Sequence, residues 1–564
     1  MKDLKNSMSG GELLLRSLKA QGMDHFLANA GSDFAPIVEA YARVGSGSPD
    51  LPEPVIVPHE SALVGMAHGY WLATGRPQAA MVHVNVGLAN AAMAMINARA
   101  DDVPVLLMSG RTPLTEHDRP GARRTPIQYG QEQFDQASLV RDVVKWHFEL
   151  RYPETVPALL SRALAVAKSA PEGPVYLSLP REPLTELTGA DVAADPLQAP
   201  SRSGAAAAED IATAAGWLAA AENPLIICQR GDPGGRVAAV LEHLAEAHDL
   251  PVAEVFATRK VFRGTHPMAV GPDLSQRLPE ADVVLVVDAP VAWIEHHNRP
   301  RASAKVIHVG PDPLHARMPM RSYRTTLGLA GDTAATLAAL DAALETVPAR
   351  ARDSAAIAAD HAAYLARVAG AARAGSTGTA SKAYVAACVS GILGETGVVV
   401  SERGAPAPFY PELGANRFFG NTPAGGLGWG GPAALGVQLA DRDRLVVCVV
   451  GDGSHLFANP VVCHQVAKAN ALPVLTVVLN NSGWDAVRLS ALEVYPEGVT
   501  SGAAQVPLTE FGANPDHAQV AEACGLWARR VDRAEDLPAA LQEAVTVIRD
   551  QRLPVLLDVA VRPE

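Results

Sequence analysis

The feature that most constrains the fold of this chain is a pair of apolar segments in its last third, each ending in polar residues. Residues 445–450 and 472–479 are continuous apolar runs of strand length, and a segment of helical pattern at 460–470 separates them. This order predicts a β-α-β unit with two parallel strands. The first strand ends in Gly-Asp-Gly-Ser at 451–454 and the second in Asn-Asn at 480–481. Ligands of open α/β sheets bind at the carboxyl ends of the strands, so we expect a binding site here.

The polar residues at these two strand ends suit a hard cation and a phosphate group. Asp452 offers a carboxylate oxygen and Asn481 a neutral amide oxygen. With a backbone carbonyl, assigned here to Gly483, and phosphate oxygens, they would complete the octahedral shell of Mg²⁺. The backbone N–H groups of Gly453 and Ser454, at the opening of a helix, would hold the phosphates. Two ordinary strand-to-helix turns would explain the glycines but not the paired asparagines.

The spacing of the two turns resembles the signature of thiamine-diphosphate (ThDP) enzymes, in which GDG is followed at a set interval by NN. Here 26 residues, 454–479, separate Gly453 from Asn480, which the resemblance makes a cofactor-binding residue. A Pro-His-Glu turn at 58–60 and Ala-Gly-Gly-Leu-Gly at 424–428 extend the resemblance to the superfamily of acetolactate synthase, benzoylformate decarboxylase and pyruvate decarboxylase. It implies a ThDP- and Mg²⁺-dependent enzyme that makes or breaks the carbon–carbon bond beside a carbonyl.

Strands and helices alternate along the chain, which predicts an α/β fold with doubly wound parallel sheets. The 564 residues allow three or four domains of about 150 residues. The resemblance implies three: a pyrimidine-binding, a central and a diphosphate-binding domain. We expect them at 1–185, 209–345 and 381–564, joined by linkers at 186–208 and 346–380.

Composition excludes several classes of protein. A net charge of −13 with no basic block argues against nucleic acid as a partner. No apolar run reaches the ~18 residues of a membrane span. The five cysteines contain no CxxC pair, which is typical of free thiols in a reduced compartment. We therefore expect a cytoplasmic protein.

The resemblance assigns three residues to the rings of the cofactor. Glu60, at the start of an apolar helix, matches the carboxylate that shares a proton with the pyrimidine ring. Its alternative interpretation is a helix N-terminal Glu favoured by the helix dipole. Leu427 matches the bulky side chain that bends ThDP, and the carbonyl of Gly425 matches the acceptor for its amino group.

The substrate side is assigned by the same resemblance. Ser32 matches the serine with which benzoylformate decarboxylase holds a carboxylate, and His83 matches its proton-transferring histidine. Acetolactate synthases have no histidine there, so His83 favours decarboxylation, although a structural histidine is the alternative. His296 is placed near a second active-site histidine of that enzyme, or on the surface. Gln131 matches a position in acetolactate synthases.

The segment after Asn481 predicts a short helix at 484–494 over the cofactor, with Leu492 and Glu493 facing the pocket. A carboxylate there suits a 2-hydroxyacyl-CoA lyase, which must take a proton from a substrate hydroxyl. The alternative is a solvated Glu.

These observations favour a nonoxidative decarboxylase of a 2-oxo acid with carboligase activity. An acetolactate-synthase-type ligase and a 2-hydroxyacyl-CoA lyase are the alternatives, and a noncatalytic paralogue is the alternative outside enzymes. The substrate is a small 2-oxo acid or an acyl-CoA. No motif supports FAD, ADP or CoA in the central domain, and the sequence leaves that question open. The resemblance implies a homodimer or a dimer of dimers, since the pyrimidine-binding and diphosphate-binding domains of one site come from two subunits in this family.

Overall fold

A computed structural model describes residues 7–192, 198–503 and 505–563 of the chain. Its internal contacts divide the chain into two compact units. Unit 1 comprises Met1–Arg202, Thr422–Arg442 and Phe457–Leu472, and unit 2 comprises Ser203–Asn421, Asp443–Leu456 and Pro473–Glu564.

Unit 1 is built on a six-stranded parallel sheet with the strand order β3-β2-β4-β5-β7-β6. The strands of this region are β1 (Met8–Ser9), β2 (His25–Ala28), β3 (Glu53–Ile56), β4 (Ala79–Val82), β5 (Leu106–Arg111), β6 (Trp146–Glu149), β7 (Val175–Pro180) and β8 (Leu187–Thr188). The short strands β1 and β8 pair with each other in antiparallel fashion. The chain leaves β2 towards β3 on one side, whereas β4 lies on the other, so the carboxyl ends of β2 and β4 flank a topological switch point where ligands bind.

The helices of this region are α1 (Gly10–Ala20), α2 (Ala35–Val44), α3 (Glu60–Thr74), α4 (Val84–Ala100), α5 (Ile127–Gly130), α6 (Val156–Lys168) and α7 (Arg181–Thr185). The helical pattern in the sequence predicts a helix over 88–98. The observed helix α4 begins earlier, directly after His83. The start is hidden in the sequence because Val84 takes a positive φ of 31°, and its N–H donates to Asp33, fifty-one positions away.

Unit 2 contains two parallel sheets. The first has the order β10-β9-β11-β12-β13. Its strands are β9 (Pro224–Cys228), β10 (Val252–Glu254), β11 (Val283–Val287), β12 (Lys305–Gly310) and β13 (Leu327–Ala330). The helices of this part of the chain are α8 (Ala208–Ala220), α9 (Arg236–Ala247), α10 (Arg277–Glu280), α11 (Thr333–Leu344) and α12 (Ser354–Ala374).

The second sheet of unit 2 has the order β15-β14-β16-β17-β19-β18. Its strands are β14 (Val398–Glu402), β15 (Phe418–Phe419), β16 (Val446–Gly451), β17 (Leu475–Asn480), β18 (Trp527–Val531) and β19 (Val555–Ala560). The helices of the last region are α13 (Lys382–Ser390), α14 (Gly430–Ala440), α15 (Asp452–Phe457), α16 (Pro460–Ala469), α17 (Asp485–Val494), α18 (His517–Ala523) and α19 (Leu537–Gln551). Of these, α14 and α16 belong to unit 1.

The prediction of three α/β domains with parallel sheets is confirmed. The β-α-β unit predicted at 445–481 is also present. Its strands β16 and β17 are hydrogen-bonded neighbours in parallel orientation, so their polar ends lie at the same edge of the sheet. The expected domain boundaries stay predictions. Residues 193–197 of the first linker lie outside the described part of the chain, and the second linker contains α12.

The packing of α3 against α14 in unit 1 fixes the position of Glu60. A Cβ added to Gly69 would lie 2.0 Å from Ala433 O, and one added to Gly436 would lie 2.0 Å from Met66 O. Only glycine lets the two helix backbones come this close. Because α3 begins at Glu60, this close contact holds its carboxylate at a defined place.

Across the residues that the structure describes, no helix is long and apolar enough to cross a membrane.

Candidate active site

The turn after β16 holds a buried carboxylate. Asp452 Oδ1 accepts a hydrogen bond from Gly453 N at 2.8 Å, and Asp452 Oδ2 accepts one from Ser482 N at 2.6 Å. Burial raises the pKa of Asp452 above its ordinary value, against these two hydrogen bonds. A cation bound beside the carboxylate would favour its charged form.

Asn480, the first residue of the second turn, is bonded to Asp558 of the neighbouring strand β19. Its Nδ2 donates to Asp558 Oδ1 at 2.9 Å, and its Oδ1 accepts from Ser482 N at 3.2 Å and Asn514 Nδ2 at 3.0 Å. Asp558 is fully buried and also accepts from Arg530 Nη1 at 2.9 Å. Asn480 was predicted to bind the cofactor, and that role stays a prediction. Its observed contacts shape the segment from Asn480 to Gly483.

The residues of the two turns fit a diphosphate and its magnesium ion. The Oγ atom of Ser454 is buried and has no hydrogen-bond partner among the residues that the structure describes, so a phosphate oxygen would satisfy it. Asn481 and the carbonyl of Gly483 add neutral oxygens to the carboxylate of Asp452, a donor set that Mg²⁺ accepts. In the described ranges no group of three His, Cys, Asp or Glu side chains could hold a metal ion. Magnesium here would therefore depend on one carboxylate, neutral oxygens and the cofactor's own oxygens.

A cavity of about 710 Å³ lies beside the turn in unit 2. Asn481, Gly483 and Leu492 are among the residues that line it, and their expected places around the cofactor stay predictions. Asp485, the first residue of α17, also lines it and accepts two hydrogen bonds from Arg488. Asp485 was not predicted, although its position next to the turn was a signal that could have identified it.

Glu493 and His296 both lie at the surface. Glu493 is 64% exposed, is absent from the residues that line the cavity, and forms an ion pair with His297 at 3.2 Å. His296 is exposed, and its ring contacts that of His297. The functional roles of Glu493 and His296 stay predictions.

In unit 1, Glu60 is buried at the start of α3. Its Oε2 accepts a hydrogen bond from Asn90 Nδ2 at 3.1 Å. A Cβ added to Gly87 would lie 3.2 Å from Glu60 Oε1, so α4 approaches the carboxylate closely at a glycine. The carboxylate is thus oriented before any ligand binds, as a proton-sharing role with a ring nitrogen requires.

The glycine-rich loop of unit 1 is held by Asn97, which sequence reasoning did not identify. Asn97 Nδ2 donates to Gly426 O at 2.8 Å, while Asn97 Oδ1 accepts from Gly426 N at 3.0 Å and from Thr422 Oγ1 at 2.8 Å. Gly426 lies between Gly425, with φ +65°, and the half-buried Leu427. Asn97 is buried, so the loop that carries the two predicted ring-binding residues is fixed to α4.

His83 lies at the carboxyl end of β4 and takes part in a chain of polar contacts. Its Nδ1 is hydrogen-bonded to Asp33 Oδ1, and its Nε2 lies 3.2 Å from Gln131 Nε2. The hydrogen bond with Asp33 raises the pKa of His83 above its ordinary value, against the opposing effect of burial. A small cavity is lined by Arg181 and by three of the predicted substrate-side residues, Ser32, His83 and Gln131.

Models of three domains of thiamine pyrophosphate enzymes match the chain. The N-terminal TPP binding domain matches residues 8–139, the central domain residues 211–340, and the C-terminal TPP binding domain residues 404–559. The fold and the site thus define a thiamine-diphosphate enzyme.

Curated relatives and a solved structure narrow this class. Benzoylformate decarboxylase of Pseudomonas aeruginosa is 29% identical over 96% of this chain and 97% of its own length. Acetolactate synthase isozyme 3 large subunit of Escherichia coli is 26% identical over 98% of this chain and 95% of its own. The ThDP-dependent 4-hydroxybenzoylformate decarboxylase of Rhodococcus jostii RHA1 covers 99% of this chain and all of its own, with a TM-score of 0.78 and 23% identity, which shows a shared fold. The chain belongs to the ThDP-dependent decarboxylase and carboligase family.

Proposed function

We propose that this protein is a Mg²⁺- and ThDP-dependent enzyme that decarboxylates a 2-oxo acid without oxidation and has carboligase side activity. The observation that carries this proposal is the position of His83, bonded to a buried carboxylate on one ring nitrogen and facing Gln131 with the other. A proton donor of this kind is what decarboxylation needs once CO₂ has left. The similarity to benzoylformate decarboxylase at 29% identity and to a probable 2-ketoarginine decarboxylase at 27% supports it.

In this proposal the residues of the cofactor site have separate roles. Asp452, Asn481 and the carbonyl of Gly483 hold Mg²⁺, while Gly453 and Ser454 hold the diphosphate. Glu60 shares a proton with the pyrimidine ring, and Gly425 and Leu427 contact the two rings. When bound, ThDP supplies the electron sink that takes up the electron pair of the broken bond.

The chain's own groups then handle the carboxylate and the proton. Ser32 binds the substrate carboxylate through its hydroxyl. The bond between the carbonyl carbon and this carboxylate breaks, CO₂ leaves, and one proton replaces it on the carbon, so that the product is an aldehyde. His83 donates this proton from Nε2 and regains one from water, and Gln131 stabilises the neutral imidazole by donating to Nε2.

A carboligase of the acetolactate synthase type is the second candidate, and the acetolactate synthase relatives at 23–26% identity support it. The same residues would serve, with a second carbonyl compound in place of the proton. A 2-hydroxyacyl-CoA lyase that uses Glu493 has less support, because that carboxylate is exposed and paired with His297. A noncatalytic paralogue has no need to keep Glu60, Asp452 and Asn481 together.

The proposal also includes the assembly: a homodimer, alone or paired into a tetramer, in which each cofactor site takes Glu60 from one copy and Asp452 from the other. Light scattering combined with activity measurements tests it. A monomer with full activity would contradict it.

A substrate screen tests the reaction. Purified enzyme with ThDP and Mg²⁺ is assayed for CO₂ release from aromatic, aliphatic and guanidino 2-oxo acids, and for cleavage of 2-hydroxyacyl-CoA thioesters. We expect CO₂ release, a loss of about 10²–10⁴ in turnover for His83→Ala, and little change for Glu493→Gln. Thioester cleavage with the opposite ranking of the two variants would establish the lyase instead.

A further inference from the structure

The carboxylate of Asp33 holds both the side chain and the backbone at the predicted proton donor. Its Oδ1 is bonded to His83 Nδ1, and its Oδ2 accepts from Val84 N at 3.3 Å. Only 4% of the Asp33 side chain is exposed, so water competes little for either oxygen. A single carboxylate therefore fixes two consecutive residues at the carboxyl end of β4.

Two glycines leave room for this pair. A Cβ added to Gly110 would lie 1.7 Å from Asp33 Oδ2, and a Cβ added to Gly31 would lie 2.1 Å from His83 Nδ1. Any larger residue at either position would displace the carboxylate or the imidazole. Gly31 and Gly110 therefore leave the space that the contact between Asp33 and His83 requires.

The backbone beside the pair is strained. Val84 has a φ of +31°, which is unfavourable for a β-branched residue and persists only where the surroundings enforce it. Its N–H donates to Asp33, the same carboxylate that binds the imidazole. Strain of this kind is concentrated at functional sites.

The hydrogen bond to Asp33 also decides which ring nitrogen of His83 exchanges protons. A carboxylate bonded to Nδ1 keeps a proton on that atom, so Nε2 is the atom that gains and loses one. Nε2 lies on the side of Gln131, whose amide can donate to the neutral ring or, after rotation, accept from the protonated one. The ring therefore has a partner in both protonation states.

The other charged groups around His83 do not replace Asp33. The charge of Glu60 acts on His83 in the same direction as Asp33. Arg111 and Arg181 line the same small cavity, but Arg111 is paired with carboxylates and Arg181 donates to backbone carbonyls. Asp33 is the carboxylate in direct contact with the imidazole.

We propose that Asp33 is the positioning residue of the proton donor: its carboxylate sets the tautomer and the charge of His83, so that Nε2 delivers the proton to the substrate carbon. The reaction named in this statement rests on the proposed decarboxylase function, whereas the pairing of Asp33 with His83 does not.

The first test measures His83 without any activity. Exchange of the imidazole carbon-bound hydrogen for deuterium, followed over a pH series by peptide-resolved mass spectrometry in the full chain without ThDP, gives the pKa of each histidine. In the wild type we expect the midpoint of His83 above the ordinary value of about 6.5. In Asp33→Asn we expect this midpoint to fall by about one unit or more. A wild-type midpoint at or below the ordinary value would overturn the proposal even where the variant does not fold, and an unchanged midpoint in a folded variant would also overturn it.

The matched control is Asp118→Asn, which removes the carboxylate of the exposed pair His117–Asp118. It changes the same chemical group in another Asp–His contact. We expect it to leave the midpoint of His83 and the turnover unchanged, and an equal effect from both variants would refute a specific role for Asp33.

The second test separates positioning from general structural damage. In Asp33→Asn, turnover should fall by about 10–100-fold with little change in KM, and the alkaline limb of the kcat profile should move to lower pH, because the donor is His83 in its protonated form. Adding Asp33→Asn to His83→Ala should cost nothing further, whereas additive losses would show that Asp33 does not act through His83. If the midpoint of His83 depends on Asp33 but no 2-oxo acid is decarboxylated, the pairing stands and the proposed function fails. If decarboxylation occurs and the midpoint does not depend on Asp33, the inference fails and the function stands.

Discussion

The turn from Asn480 to Gly483 and the helix that follows it, α17 (Asp485–Val494), are built in opposite ways. The turn is tied to the sheet: Asn480 bonds to the fully buried Asp558, and Ser482 N donates to Asp452. In α17 no residue is buried. The turn is thus anchored to the protein core, whereas α17, which forms part of the wall of the adjoining cavity, has no buried residue. This difference explains why the cofactor is recognisable and the substrate is not.

The largest effect is expected at Asp452, the proposed magnesium ligand. Asp452→Ala should abolish the retention of both Mg²⁺ and ThDP, because the diphosphate is held largely through the ion. Calorimetric titration with ThDP in the presence of Mg²⁺ measures this, with the exposed carboxylate variant Glu493→Gln as control. Unchanged ThDP affinity in Asp452→Ala would refute the proposal that Asp452 binds the magnesium ion.

The next effect concerns the other end of the cofactor. Glu60→Gln should still bind ThDP, but exchange of its C2 hydrogen for deuterium should slow by about 10²–10⁴, since an amide cannot share a proton with the pyrimidine. Acid-quenched NMR of the cofactor measures this exchange. Exchange at the wild-type rate would refute the role of Glu60.

A smaller effect is expected at the glycine-rich loop. Asn97→Ala removes the side chain that binds Gly426 and Thr422, leaving buried polar groups unpaired at a cost of about 1–3 kcal/mol. We expect ThDP affinity to fall by about tenfold or more, while the fold is kept. Asn470→Ala is the control, because the Asn470 side chain donates to the carbonyl of Val466 in the preceding helix α16. Equal affinities in both variants would show that the loop does not depend on Asn97.

The smallest effect is expected on α17. Leu492→Ala enlarges the cavity and should raise the kcat/KM ratio of bulky over small 2-oxo acids by about tenfold, with ThDP affinity unchanged. The control Leu489→Ala alters a residue of the same helix that is not among those lining the cavity. A loss of ThDP binding in Leu492→Ala would erase the contrast between the turn and the helix.

The sequence predicts the parts of the site that are local in the chain. Asp452, Ser454 and Asn481 stand in short motifs next to apolar strands, and their turns meet because parallel strands end at the same edge. Asp33, Asn97 and Asp558 act on partners 50, 329 and 78 positions away. Such pairs leave no periodic or local pattern, so only the folded chain identifies them.

The fold follows the same rule. Strands covered on both faces are continuous apolar runs, and β16 and β17 overlap the apolar runs at 445–450 and 472–479. The predicted start of the helix at residue 88 was wrong. The helix α4 begins at Val84, which has a strained backbone and donates to the distant carboxylate of Asp33. The exposed ion pair of Glu493 with His297 could not be predicted either, since it joins two segments about two hundred residues apart.

The most direct test of this account is a calorimetric titration of the wild-type protein with ThDP, performed once with Mg²⁺ and once with EDTA. We predict saturable binding of one ThDP per chain with Mg²⁺, and loss of that binding when EDTA removes the ion. The same affinity under both conditions, or no binding under either, would contradict it.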